Sequence, residues 1–120
     1  MAAIELGKYL QGTAAQYHDC LEACVECLVA SEACAEACLG EDDVKMMAEC
    51  IRRCRDCTEA CVSCAIVMAR GSERARELCR ACAELCEACA AECEKHAEEH
   101  CKRCAEACRR CAAECRKIAS

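Results

Sequence analysis

Along residues 101–115, cysteine recurs at steps of three, four, three and four (Cys101, Cys104, Cys108, Cys111, Cys115), with charged or small residues between. On a helix of about 3.6 residues per turn, alternating steps of three and four keep one line of side chains on one face. Soluble bundles fill such a line with Leu, Ile or Val. Here the residue that must build the core is a thiol. The pattern recurs upstream as Cys20, Cys24, Cys27, Cys34 and Cys38, then Cys50, Cys54, Cys57, Cys61 and Cys64, then Cys79, Cys82, Cys86, Cys89 and Cys93. Five cysteines in each of four segments are an internal repeat. Short connections imply antiparallel neighbours, so the sequence predicts an all-α fold, an antiparallel up-down-up-down four-helix bundle with a short N-terminal helix or arm.

The 120 residues suit a single domain. Cysteine, at 20 residues, outnumbers Leu, Ile and Val combined, and Phe and Trp are absent, so sulfur must supply most of the core. Residues 1–12 carry Ile4, Leu6, Tyr9 and Leu10 at loosely helical spacing and read as an arm. Thr13 and Gln16 form a capping-box pair that opens a helix over about 13–39. Within it, the step of seven from Cys27 to Cys34 skips one seam position, Ser31. A small spacer bonded to its own helix is the reading preferred there over a weak metal ligand. Gly40 is placed as the residue just past the helix C-terminus, and the acidic run Glu41-Asp42-Asp43 suits the start of a second helix over about 43–70, whose seam extends to Met47 and Met68. Gly71 and Ser72 stop that helix and start a third, about 72–96, whose seam continues to His96. The seam changes register before Cys101, so a turn is expected near 95–99 and a fourth helix over about 98–118; one bent helix is the alternative.

The opening residues lack a basic stretch followed by an apolar run, so no signal peptide is read and a cytoplasmic, reducing location is expected; no segment is apolar enough to span a membrane. A net charge of −6 argues against nucleic acid or an anionic membrane as partner. No nucleophile-base constellation or phosphate-binding loop is present, so no enzyme is expected.

Twenty inward thiols would be a poor core if they were only small apolar residues. Intrahelical disulfides meet a geometric objection: Cβ atoms at i,i+3 or i,i+4 lie about 5–6 Å apart, whereas a disulfide wants about 3.5–4.5 Å. Two sulfurs holding one metal in a line sit about 4.5 Å apart, which the same spacing meets easily. Soft thiolates select Cu(I). At one ion per thiolate each Cu⁺ replaces one H⁺ and the core stays neutral, whereas about five zinc ions in four-cysteine sites would each leave a charge of about −2 to be buried. The reading is therefore high-capacity Cu(I) binding for storage, buffering or detoxification, with many ions, roughly one per cysteine. The alternatives kept open are a zinc or general metal buffer of the metallothionein type and a structural bundle with inert core thiols.

The antiparallel order gathers Met46, Met47, His96 and His100 beside Cys38, Cys50, Cys93 and Cys101 at one end, and Tyr17, Met68, Ala75 and Ile118 at the other. Thioether and imidazole hold Cu(I) less tightly than thiolate, so the first end is expected to admit metal, with Met47, His96 and His100 as ligands there. The second is expected to be an apolar plug, and His18 a surface residue.

The stretch from Cys86 to Cys115, with its paired CxxCxxxC blocks and a turn carrying His96 and ending in His100-Cys101, resembles the bacterial copper storage proteins. The resemblance extends over the helices from about residue 13. It implies a cytosolic copper store, a homotetramer, a copper chaperone or chelator as partner, all twenty cysteines as ligands, and Met47, His96 and His100 at the mouth. Cytosolic members tend to be richer in His at the turn; here Glu98 stands where another is expected.

Overall fold

The computed structural model describes residues 5–120. Four helices carry the repeat: α1 (His18–Leu39), α2 (Ala48–Ala69), α3 (Ala75–Cys93) and α4 (Glu99–Ala119). Each packs on the next and α4 closes against α1, the arrangement of an up-down-up-down bundle. With a rise of about 1.5 Å per residue, a helix of this length runs for about 30 Å, room for five cysteine levels along the seam.

Helix ends depart from the sequence expectation where side chains bind across the bundle rather than along the chain. Residues Gly12–Tyr17 form a 3-10 turn, so α1 begins at His18 instead of near 13. The capping box is not made: Thr13 Oγ1 donates to the Gly71 carbonyl at 3.2 Å, tying the start of α1 to the α2–α3 turn. A second 3-10 turn, Val44–Met47, precedes α2, with the Asp43 carboxylate accepting from the Met46 N–H at 3.3 Å. Gly40 ends α1 at φ −89°, in the right-handed region, so its lack of a side chain is not used there. Gly71 does need it. Its φ is +66°, and a Cβ there would meet Thr13 Oγ1 at 2.7 Å. The Gly71 and Ser72 N–H groups donate back to the carbonyls of Met68 and Val67, closing the end of α2. Ser72 Oγ accepts from the Arg74 N–H at 3.0 Å, and α3 starts only at Ala75. Glu98, extended at ψ 139°, separates α3 from α4, which excludes the single bent helix. Of the expected arm, Ile4 lies outside the described residues; Leu6 and Leu10 pack on the core and Tyr9 is exposed.

The core lies where the seam reading puts it. Every cysteine is buried, and the other buried residues are mostly alanines beside them. The outer faces carry charge, and α4 is clamped to its neighbours by ion pairs of Arg109 with Glu94, Arg116 with Glu87 and Arg110 with Glu26. These pairs are about half exposed, so they set which face of α4 turns outward more than they stabilise it.

Candidate metal centre

All twenty cysteines are free thiols facing the bundle axis. Each Sγ lies 3.4–4.0 Å from at least one other, mostly on a different helix. Cys57 and Cys86, and Cys64 and Cys79, come to 3.4 Å. Groups of four thiols whose sulfurs all lie within 4.8 Å of one another recur along the axis: Cys34, Cys38, Cys50 and Cys101 at one end, Cys27, Cys57, Cys61 and Cys86 in the middle, Cys24, Cys64, Cys82 and Cys115 near the other end. That spacing matches the span of about 4.5 Å between two sulfurs on one metal ion. Groups share members within each part of the axis, through Cys34 toward one end and through Cys24, Cys61 and Cys82 toward the other, so the donors form the runs of a ladder rather than isolated sites.

Burial decides the charge state at the ladder's end. It pushes the Cys38 thiol up to about 12, helped by the nearby Cys50 sulfur, and Cys101 rises for the same two reasons. Cys20, at the opposite end, is lowered to about 6 by its hydrogen bond with Cys115. Metal must therefore displace the protons of Cys38 and Cys101 to bind them.

At the end bearing Cys38, Cys50, Cys93 and Cys101, the expected mouth residues separate. The His100 ring is fixed from both sides. Its Nε2–H donates to Glu41 Oε1 at 2.8 Å, which leaves Nδ1 facing Cys34 Sγ at 3.4 Å and Cys101 Sγ at 3.5 Å. The bond made by one ring nitrogen thus sets the state of the other. Met47 is buried against the core, while Met46 is 68% exposed. His96 is turned aside: its Nε2–H donates to Glu92 Oε2 at 3.0 Å, and among the described residues it makes no hydrogen bond to a thiol. Burial disfavours the Glu92 charge, yet hydrogen bonds from His96 and Lys95 outweigh it and hold the carboxyl below its usual range. His96 and Met47 line one small cavity with Met46, Glu41 and Glu98. At the other end Tyr17, Met68 and Ala75 are buried and Ile118 half-buried, as a plug requires. His18 is half-buried rather than free at the surface, and it pairs with Asp19 and Glu22.

Three residues act in ways the sequence reading does not assign. Glu41 is legible there only as a helix-start charge; its partner is 59 positions away. Met68 is more than plug, since its thioether accepts from Cys79 Sγ at 3.9 Å, and its seam position is the signal. Ser31 does not bond its helix backbone. It is fully buried, with its hydroxyl against Cys27, Cys104 and Cys108 at 3.8–3.9 Å.

The profile of the copper storage protein family matches residues 13–120. Among solved structures, Cu(I)-bound copper storage protein BsCsp3 from Bacillus is 40% identical with a TM-score of 0.81, over 84% of this chain and 95% of that one. A cytosolic copper storage protein from Streptomyces lividans carrying five coppers is 38% identical with a TM-score of 0.85, over 89% and 94%. The same organism's copper storage protein Ccsp, loaded with 10 copper equivalents, is 39% identical with a TM-score of 0.81, over 89% and 83%. A search of curated protein sequences finds no match.

Proposed function

This chain belongs to the copper storage protein family, and from that premise we propose that it stores Cu(I) on all twenty core cysteines, at about one ion per thiolate, loaded through the end that carries His100. The observation that carries the reading is the ladder itself: every thiol is buried and every one has another within 3.4–4.0 Å. Such an array offers a soft monovalent ion two sulfurs at each step and requires no net charge in the core.

At the mouth, the bare His100 Nδ1 and the thiols of Cys34 and Cys101 meet an arriving ion first; Met47 supplies a thioether in the neighbouring cavity it shares with His96. An ion bound there passes inward by exchanging one thiolate for the next, and each thiol gives up its proton as it takes metal. His96 serves at the rim only after its ring leaves Glu92. The role is storage without a catalytic step. A cytosolic location, a homotetrameric assembly and a copper chaperone or chelator as donor complete the proposal; the net charge of −6 disfavours nucleic acid as a partner.

Anaerobic titration of the reduced protein with Cu(I) against a chromogenic chelator tests it, with a zinc titration in parallel. The expected copper endpoint is about twenty ions, one per cysteine. An endpoint of a few ions, with zinc saturating near about five, would replace it with the zinc-buffer reading.

A further inference from the structure

We propose that Ser31 divides the sulfur ladder into two copper pools that exchange at different rates, the pool on the His100 side being the faster. The inference rests on the storage reading above.

Ser31 occupies the seam position where α1 skips a cysteine, and the hydrogen-bond partners of its hydroxyl are thiols: Cys27 at 3.9 Å, Cys104 at 3.8 Å and Cys108 at 3.9 Å. It is 0% exposed, and among the described residues it is the one buried polar side chain of the core. On the mouth side, eight thiols (Cys34, Cys38, Cys50, Cys54, Cys89, Cys93, Cys101 and Cys104) form a single network with contacts of 3.6–4.0 Å. Beyond Ser31, Cys27, Cys57, Cys86 and Cys108 form another at 3.4–4.0 Å. Among the described residues, one thiol–thiol hydrogen bond joins the two networks, Cys104 with Cys108 at 3.9 Å. Ser31 lies across that link.

Cu(I) moves between thiolates by taking an incoming sulfur before it releases the outgoing one, so the rate depends on how many sulfurs stand within reach at each level. A hydroxyl is a hard donor and does not substitute for thiolate toward Cu(I). At the level of Ser31, α1 offers no sulfur, so fewer sulfurs stand within reach there: the closest step is Cys104 to Cys108 at 3.9 Å, with Cys89 of α3 facing Cys57 and Cys108 beside it. The cause is the missing sulfur; the hydroxyl satisfies its own hydrogen bonding there and does no more.

The test is removal kinetics. Fully Cu(I)-loaded protein is mixed anaerobically with excess chromogenic Cu(I) chelator and the complex followed by absorbance. Copper should leave in two phases, the fast one carrying about two fifths of the total, because eight of the 20 cysteines lie on the mouth side. Ser31→Cys, which restores a sulfur in nearly the same volume, should accelerate the slow phase several-fold until the two merge. Ser31→Ala restores none and should keep both phases. A single phase in the unsubstituted protein, an unchanged slow phase in Ser31→Cys, or merging in Ser31→Ala would overturn the partition. Circular dichroism of each apo variant checks that the bundle is intact. A protein that fails to take up copper before removal begins would sink the storage reading itself, an outcome separate from any of these.

Discussion

The carboxylate of Glu41 decides which nitrogen of His100 meets the thiols. With Nε2–H held at 2.8 Å, the lone pair of Nδ1 points at Cys34 and Cys101. A ring oriented this way by an outer carboxylate is ready before metal arrives. Glu41→Ala frees the ring to rotate and to exchange its proton between nitrogens. Stopped-flow loading with a Cu(I) donor should slow several-fold while the final stoichiometry stays unchanged, since no thiol is lost; an unaltered rate would show that the clamp is dispensable. This contact is not legible in the sequence, because an acidic run after Gly40 has a sufficient local explanation at a helix start and nothing marks a partner on α4. The cysteines are legible for the opposite reason: the alternation of three and four fixes their face whatever packs against it. Ser31 stands between. Its place on the seam can be read, but the three thiols that surround its hydroxyl, two of them on α4, cannot.

Among the elements, the helices follow from periodicity and the helix ends do not. Thr13 has a local capping partner in Gln16 yet bonds the Gly71 carbonyl, because the antiparallel order brings the start of α1 beside the α2–α3 turn. That turn is the most constrained joint in the fold. Gly71→Ala forces a side chain into a left-handed residue and against Thr13 Oγ1 at 2.7 Å. Urea denaturation of the apo variant should therefore show a loss of about 1–2 kcal/mol. The corresponding change at Gly40, whose φ is −89°, meets neither obstacle and serves as the comparison. The fourth helix illustrates the reverse dependence: with Ile118 as its one large aliphatic side chain, it docks through its cysteines and alanines, and Arg109, Arg110 and Arg116 reach back to carboxylates on α1, α3 and the end of α3.

The whole molecule is a bundle whose interior is a set of acids. In the apo state burial keeps Cys38 protonated, raising it from 9.0 to about 12. The unfolded chain ionises first, near 9.0, so the stabilisation is fully present below that pH and is lost as pH rises toward about 12. Melting temperatures of the apo protein measured across this window should fall steadily. Those of the copper-loaded protein should stay nearly flat, since its thiolates have no proton left to lose and the folded core holds the metal more tightly than the unfolded chain. A parallel decline in both would mean that the core thiols do not control the transition. Access at the two ends cannot be ranked from thiol burial, because the cysteines nearest the mouth, Cys38, Cys50, Cys93 and Cys101, are as fully buried as those in the middle. On the proposed loading route, entry past His100 is therefore a side-chain movement and not a standing channel.

The plug at the far end has an optical consequence. The chain contains no Phe or Trp and only two tyrosines, so its near-ultraviolet emission comes from Tyr9 and Tyr17 alone. Tyr9 is 69% exposed on the arm, while Tyr17 is buried in the same cluster as Cys20, at the last rung of the ladder. One fluorophore thus sits in solvent as an internal standard, and the other sits where, on the proposed loading route, the last of the metal arrives. Without any label, the protein carries its own gauge of how far a filling front has travelled.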